Sequence, residues 1–274
     1  LSDIVSRFRR ANQDWSLLPS KVAIQLNDTH PAMAVAELMR ILLDDAGLTW
    51  EQAWDLTVNT LAYTNHTLLP EALEKWPVRL FELVCPRLLE IVFEINHRFL
   101  QDLEQRFPGE TDRLGRMSLI EEKPARQIRM ANLAIVGTHS TNGVAQIYSD
   151  LLRTRVVADF AELFPERFNN KTNGITPRRW LLLANPGLAE LISATIGDGW
   201  VTDTARLKQL AEYVDDQDFR HRFRLAKQTA KERFVEWLAS STGQVVDPAT
   251  MFDSQIKRIH EYKRQLLNVL HIIV

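Results

Sequence analysis

The sequence predicts an α/β protein in which parallel strands alternate with helices. Three observations favour this class: short apolar runs of strand length, helical patterns between them, and polar loops directly after several runs. A strand, a crossover helix and a second strand form the unit from which parallel sheets are built. In open sheets of this kind, ligands bind beyond the carboxyl ends of the strands. The polar loops are therefore the first candidates for a functional site.

The first strand and its loop are predicted close to the beginning of the chain. KVAIQL (21–26) has a strand-like pattern. NDTHP follows, with Asp28 and Thr29 as candidate helix caps and Pro31 at the first helical position. Asp28 and His30 would also suit an acid/base or orienting pair, so the loop is open to both interpretations.

Helices are predicted to fill most of the next hundred residues. AMAVAELMRILLDDAG has helical spacing and a stop at Gly47, and TWEQAWDLTVNTLAY forms a second helix that leads to the loop TNHTLLP. The pattern over 76–107 gives one long helix interrupted at Pro86. The polar residues 108–127 are expected to be a surface connection.

The second half continues the alternation. MANLAIVGTHSTNGVAQIYSDLL predicts a strand, a glycine-containing turn and a helix, and FNNKTNGITPRRW predicts a polar loop. Helical patterns fill most of 180–242. FDSQIKRI (252–259) is a strand candidate, and EYKRQLLNVLHII begins another helix.

Composition excludes several classes of function. The 274 residues are 45% hydrophobic and 25% charged, which is ordinary for a globular protein. A net charge of −2 argues against a nucleic-acid partner, and no apolar run approaches the length of a membrane span. The single cysteine, Cys85, fits a reducing, cytoplasmic location. Both ends lack helix start and stop signals, so we expect an internal piece of a longer protein.

A basic cluster near the end of the chain is the clearest candidate for anion binding. KRIHEYK contains Lys257, Arg258 and Lys263 where a strand is expected to end and a helix to begin. Helix N-termini favour phosphate, and arginine can bind it bidentately. The alternative, a solvated basic surface, remains open at this point.

Other motifs are weak when taken singly. His66 in TNHTLLPEALE could contact a hydroxyl-rich ligand, or the loop could be a helix cap in which His66 is merely packed. NKTNG contains a turn signal with or without function. The sequence has no GxGxxG, Walker A, HExxH or GxSxG pattern, and its scattered histidines argue against a zinc site.

Taken together, five motifs resemble the α-glucan phosphorylases, the family of the glycogen, starch and maltodextrin phosphorylases. They occur in the order QLNDTHP, AYTNHTLLPEALEKWP, NGVA, NKTNGITPRRW and IKRIHEYKRQLLN. The similarity runs from about residue 21 to the end. It implies two Rossmann-like domains of the GT-B glycosyltransferase type, each only partly present. Residues 1–172 would end the N-terminal domain, and 173–274 would begin the C-terminal domain that binds cofactor and phosphate.

The resemblance also implies an activity. Enzymes of this family use inorganic phosphate to release glucose 1-phosphate from an α-1,4-glucan, with retention of configuration. They carry pyridoxal 5'-phosphate, whose phosphate takes part in the proton chemistry. The resemblance places the Schiff-base lysine beyond residue 274, so we expect the isolated chain to be inactive. It further implies a homodimeric, cytoplasmic parent protein that binds neither nucleic acid nor membrane.

For the phosphate groups, the resemblance assigns roles in the basic cluster. Lys257 and Lys263 are expected to bind the cofactor phosphate, and Arg258 is expected to hold the substrate phosphate. These three are the predicted catalytic residues. Trp180 is expected near the cofactor, and Tyr262 near the glucosyl unit.

For the sugar, the resemblance assigns residues from three loops. His66 and Asn173 are expected to bond glucose hydroxyls, His66 partly through its backbone carbonyl. Val144 is expected to pack near the sugar and the cofactor. Asp28 and His30 resemble residues of the loop that flanks the entrance to the site.

Overall fold

The computed structural model describes residues 1–69 and 73–274, except for the side chain of Tyr262. The chain divides into two compact units, Leu1–Asn173 and Gly174–Val274. The division falls within NKTNGITP, one residue from the boundary placed after residue 172. That the two units correspond to the two domains of the resembled family stays a prediction.

The first unit is an α/β structure with two sheets. Its helices are α1 Ser2–Ala11, α2 Leu18–Lys21, α3 Ala34–Arg40, α4 Trp50–Thr60, α5 Val78–Val84, α6 Pro86–Arg106, α7 Thr111–Met117, α8 Met130–Val136, α9 Gln146–Leu151 and α10 Ala158–Leu163. Its strands are β1 Ile24–Asn27, β2 Leu61–Thr64, β3 Lys75–Pro77, β4 Ile120–Glu121, β5 Gln127–Arg129, β6 Thr141–Gly143 and β7 Phe168–Asn170. Short 3-10 or π-helical turns connect several of them. The predicted α/β class is confirmed.

A parallel sheet runs through the first unit in the order β1-β2-β6-β7. Leu26 on β1 lies opposite Tyr63 on β2, which in turn lies opposite Thr141 on β6, and these three residues are buried. All four strands point the same way, so their carboxyl ends meet at one edge of the sheet. This edge carries the polar loops.

Helix boundaries follow local signals where such signals exist. Thr49 and Gln52 form a reciprocal capping box at the start of α4. Gly47 has φ = 69° and ends the preceding helical segment, and Pro86 separates α5 from α6, so both predicted boundaries are confirmed. Helix α6 packs on α3 through an apolar stripe. The buried residues of α6 are Leu89, Ile91, Val92, Ile95, Phe99 and Leu103.

Two predicted elements are wrong in type. The predicted helix TWEQAWDLTVNTLAY ends at Thr60, and Leu61–Thr64 form strand β2. MANLAIV, predicted as a strand, is helix α8, and every residue of Met130–Val136 is buried. A continuous apolar run lacks the periodicity that separates a buried strand from a buried helix.

The region 108–127 is also more than a surface connection. It contains α7 and β4, and Met117 and Leu119 are fully buried. An antiparallel sheet of order β3-β5-β4 brings Trp76 and Ile120 opposite Ile128. A few apolar residues within a polar segment are thus enough to anchor it in the core.

The predicted helix start in NDTHP is wrong as well. Residues 30–33 form turns, and α3 begins at Ala34 without a side-chain cap. Asp28 has φ = 65°, a left-handed backbone conformation that aspartate tolerates better than most residues.

The second unit is mainly helical, which confirms the prediction for 180–242. Its helices are α11 Pro186–Ile196, α12 Gln217–Thr242 and α13 Gln265–Ile273. A π-helical turn spans Arg178–Leu183, and 3-10 turns span Asp198–Val201, Thr204–Tyr213 and Glu261–Lys263. Ala189, Ile192 and Trp200 form a small core.

The strand predicted at FDSQIKRI is not present. Residues 252–259 have no regular secondary structure, and the side chains of Ile256 and Ile259 are 94% and 93% exposed. A strand needs a neighbour for its backbone hydrogen bonds, and the described part of the second unit contains no other strand.

Candidate functional site

A depression of about 350 Å³ lies at the carboxyl ends of the four parallel strands. Its position is the one at which open α/β sheets bind ligands. Each strand or the loop after it contributes to the wall. The lining residues are Gln25, Asn27, Thr64, His66, Ser140, Asn142, Val144, Asn169, Lys171 and Asn173.

The structure brings together three of the predicted sugar-site residues. His66 follows β2, Val144 follows β6 and Asn173 follows β7, and all three line the depression. The backbone N–H of Asn173 donates to the carbonyl of Val144 at 2.9 Å, which joins the last two loops. Residues that are far apart in the sequence therefore share one wall.

The imidazole of His66 is held from the neighbouring strand. Its Nε2 lies 2.7 Å from Oδ1 of Asn27, the last residue of β1. Because Asn27 pairs with Thr64 in the sheet, it stands beside the loop that carries His66. The ring is thus attached to the regular part of the sheet.

A chain of neutral hydrogen bonds crosses the floor of the depression. Gln25 Nε2 donates to Thr64 Oγ1 at 2.9 Å, and this hydroxyl donates to Asn142 Oδ1 at 2.8 Å. The amide of Asn142 donates to the carbonyl of Gly143 at 2.8 Å. Neutral donors and acceptors of this kind match the hydroxyl groups of a sugar.

A buried polar network lies next to His66. The Oδ1 atom of Asn65 accepts from the Thr67 N–H at 3.2 Å and from the Tyr148 hydroxyl, and its Nδ2 donates to the Tyr63 hydroxyl at 2.8 Å. Burial raises the pKa of both phenols well above the usual tyrosine value. Two neutral phenols and the hydrogen-bonded amide of Asn65 therefore fix the backbone on both sides of His66.

Gly143 allows helix α9 to pack closely on strand β6. A Cβ atom at this position would lie 2.3 Å from Ser149 Oγ and 2.8 Å from Tyr148 Cδ1. The close approach brings Tyr148 within reach of Asn65. The NGVA motif thus contributes packing as well as the wall residue Val144.

The structure does not bring Asp28 and His30 to this depression. The Asp28 carboxylate accepts from the Thr29 N–H at 2.7 Å, and the Thr29 hydroxyl donates to Glu74 Oε2 at 2.6 Å. His30 lines a separate apolar depression of about 310 Å³ beside Trp76. Both residues belong to the turn after β1 without facing the other predicted sugar-site residues.

The predicted phosphate-binding residues lie in the second unit, in the segment before α13. The side chains of Lys257 and Arg258 are exposed, and Lys263 is partly exposed. Side-chain hydrogen bonds join this segment to α13. Gln265 Nε2 donates to the Arg258 carbonyl at 2.9 Å, and Asn268 Nδ2 donates to Asp253 Oδ1 at 3.1 Å.

Trp180 and Tyr262 are the other two predicted site residues of the second unit. Trp180 lies in the π-helical turn, and 64% of its surface is exposed. The neighbouring Arg178 donates to the Val201 carbonyl at 3.0 Å, which ties this turn to the unit. The side chain of Tyr262 lies outside the described residues.

Sequence reasoning missed several polar wall residues, among them Gln25, Asn27, Thr64 and Asn142. A signal was present in QLN, because Gln25 and Asn27 alternate with the buried Leu26. Alternation places two polar side chains on one face at the end of a strand. The hydrogen-bond partners of these side chains could not be predicted, because they depend on how β1 and β6 pair with β2.

Within the residues that the structure describes, no group of three or more His, Cys, Asp or Glu side chains is placed to hold a metal ion. None of the described helices is both long enough and apolar enough to cross a bilayer.

Comparisons with known proteins agree with the resemblance read from the motifs. The chain is 52% identical to the muscle form of glycogen phosphorylase from Bos taurus and 53% identical to the liver form from Homo sapiens. Each match covers 100% of this chain and 33% of the relative, so the chain spans about a third of the relatives' length. The family model for carbohydrate phosphorylases matches residues 1–274. The chain therefore belongs to the carbohydrate phosphorylase family.

Proposed function

We propose that the whole protein cleaves α-1,4-glucan with inorganic phosphate and releases glucose 1-phosphate with retention of configuration. The observation that carries this proposal is identity of 51–53% with glycogen phosphorylases along the entire chain. Because the chain spans about a third of those relatives, the activity is proposed for the complete protein. The same proposal includes two Rossmann-like domains of the GT-B type and a cytoplasmic homodimer.

The depression in the first unit is the proposed site for the terminal glucosyl unit. Its neutral amide and hydroxyl groups support the binding of an uncharged polyhydroxyl ligand. In this proposal His66 and Asn173 bond sugar hydroxyls, and Val144 packs against the ring. Tyr262 is proposed to contact the glucosyl unit, and Asp28 and His30 are proposed to act at the entrance to the site.

The basic segment of the second unit is the proposed site for phosphate. Arg258 presents a planar guanidinium that can hold two phosphate oxygens at once, which orients the attacking oxygen. The positive charge of Arg258 would stabilise the charge that develops as the glycosidic bond breaks. Its exposure in the chain leaves the guanidinium accessible to an anion.

The donors in this segment also fit pyridoxal 5'-phosphate. Two ammonium groups, Lys257 and Lys263, suit its phosphate, and the exposed indole of Trp180 suits an aromatic neighbour. When bound, the cofactor would supply a phosphate group for proton transfer. The Schiff-base lysine is expected outside residues 1–274, and we therefore propose that this chain alone is inactive.

The complete protein provides the test. Purified with pyridoxal 5'-phosphate and given glycogen and phosphate, it should form glucose 1-phosphate. Arg258→Ala should lower kcat/KM for phosphate by about 100-fold or more, and Arg258→Lys should be nearly as harmful because a point charge does not replace a planar fork. Arg220→Ala, at an exposed position of α12, is the matched control.

Two results would contradict the proposal. Unchanged phosphate kinetics in Arg258→Ala would refute the role of Arg258. Glucan binding without product formation by the wild-type protein would indicate a binding module in place of an enzyme.

A further inference from the structure

We propose that Asn27 is a positioning residue that fixes the tautomer and orientation of His66 for sugar binding. This inference rests on the proposed function, because it concerns the same depression. It assigns a role to a residue that the motif resemblance does not single out.

The geometry begins with one short contact. Nε2 of His66 lies 2.7 Å from Oδ1 of Asn27, which is a normal hydrogen-bond distance. A carbonyl oxygen has no proton to donate, so the hydrogen of this bond must sit on the imidazole nitrogen. In the neutral ring, Nδ1 then carries a lone pair and can accept a hydrogen bond from a sugar hydroxyl.

Both partners are attached to ordered backbone. Asn27 is the last residue of β1 and lies opposite Thr64 in the parallel register. On the other side, the preceding residue of His66 is Asn65, whose amide is only 2% exposed and is held by two tyrosine hydroxyls. A ring held by its Nε2 and by its backbone has little freedom to turn away from the depression.

The charged groups near the depression have hydrogen-bond partners other than His66. Lys171 lines the same depression, and its ammonium group donates to Asn169 Oδ1. Asp28 follows Asn27 in sequence, but its carboxylate accepts from the Thr29 N–H. Within the described wall of the depression, the atom that faces His66 Nε2 is therefore a neutral amide oxygen.

The test is a double-mutant cycle read by calorimetric titration of the complete protein with glucose. Asn27→Leu should weaken glucose binding about tenfold, which is the loss expected for one oriented hydrogen bond. Asn27→Asp keeps an oxygen acceptor and should restore most of the affinity. In a His66→Ala background, Asn27→Leu should have no further effect, because its partner is already gone.

Asn59→Leu provides the control, since Asn59 is exposed on α4 and bonds to Asp55 within its own helix. Asn27→Ala, read in the same cycle, covers the case in which the leucine variant fails to fold. Additive losses of glucose affinity in the cycle would overturn the inference. Unchanged glucose affinity in both Asn27→Leu and Asn27→Ala would overturn it as well. A wild-type protein that forms no glucose 1-phosphate would reject the proposed function, and that result is independent of the binding cycle.

Discussion

Replacing Asn65 with leucine tests the buried network next to His66. The two side chains have the same branching and the same number of heavy atoms, so the change removes polar atoms without opening a cavity. Three groups lose their partner: the Thr67 N–H, the Tyr63 hydroxyl and the Tyr148 hydroxyl. Asn65 is 2% exposed and Tyr63 is fully buried, so water cannot readily replace the lost bonds.

The magnitude follows from the burial of each group. Leaving a buried polar group without a partner costs about 1–3 kcal/mol. The Tyr63 hydroxyl should lie in the upper part of this range, whereas Thr67 and Tyr148 are partly exposed and should cost about 1 kcal/mol each. We expect Asn65→Leu to lower the free energy of unfolding by about 3–5 kcal/mol. Tyr148→Phe should cost about 1 kcal/mol, because Asn65 Oδ1 keeps the Thr67 N–H.

Urea unfolding of the 274-residue chain, followed by circular dichroism, measures this difference. Amide hydrogen exchange at Thr67 reports on the same network locally and should accelerate in Asn65→Leu. Asn59→Leu makes the same chemical change on the exposed face of α4 and should stay within about 0.5 kcal/mol of wild type.

A loss below about 1 kcal/mol in Asn65→Leu would refute the reasoning, because even one orphaned buried hydroxyl should exceed it. Equal losses in Asn65→Leu and Tyr148→Phe would also contradict it. The first variant removes the partner of three groups and the second removes one donor.

Two further predictions concern packing and pH. Gly143→Ala should lower the free energy of unfolding by about 1–3 kcal/mol, because the new Cβ would overlap Ser149. Gly115→Ala has open space around the new Cβ on helix α7 and should be neutral or stabilising by up to about 1 kcal/mol in the same urea assay. The hydrogen bond from Arg116 holds the pKa of Asp159 below the usual aspartate value. The stabilisation from this carboxylate is therefore fully present above the unfolded-state pKa, at about pH 4, and is lost as the pH falls through the folded-state pKa. The free energy of unfolding of Asp159→Asn should therefore fall less than that of wild type as the pH is lowered from about 4 to the acid transition. Identical dependence of this free energy on pH in the two proteins would contradict the prediction.

Helix ends and strands of the first unit could be predicted where a single glycine, proline or short sequence pattern determines them. The glycine stop at Gly47, the break at Pro86 and the strand pattern that became Ile24–Asn27 each follow from a few neighbouring residues. The expectation that polar loops after strands would meet also rested on local signals. His66, Val144 and Asn173 do line one depression, while their roles toward a sugar stay predictions.

The errors arose where tertiary packing decides. Leu61–Thr64 continues a helical pattern in sequence, yet pairing with β1 and β6 makes it a strand. Met130–Val136 is apolar throughout, and only its surroundings in the core select a helix. FDSQIKRI is predicted as a strand, but its apolar residues do not alternate with polar ones, and the described part of the second unit contains no other strand. The contact between Asn27 and His66 depends on strand register and side-chain rotamers, which a single sequence does not reveal.

The chain of neutral hydrogen bonds across the depression joins residues that are far apart in the sequence. The Gln25–Thr64 bond joins residues 39 positions apart, and the Thr64–Asn142 bond joins residues 78 positions apart. Parallel pairing of this range has high contact order, and contacts of this kind form slowly. A one-residue slip of β1 would turn Gln25 and Asn27 into the core and Leu26 out to solvent. The same register that protects the core therefore decides when during folding the proposed sugar-binding surface first forms.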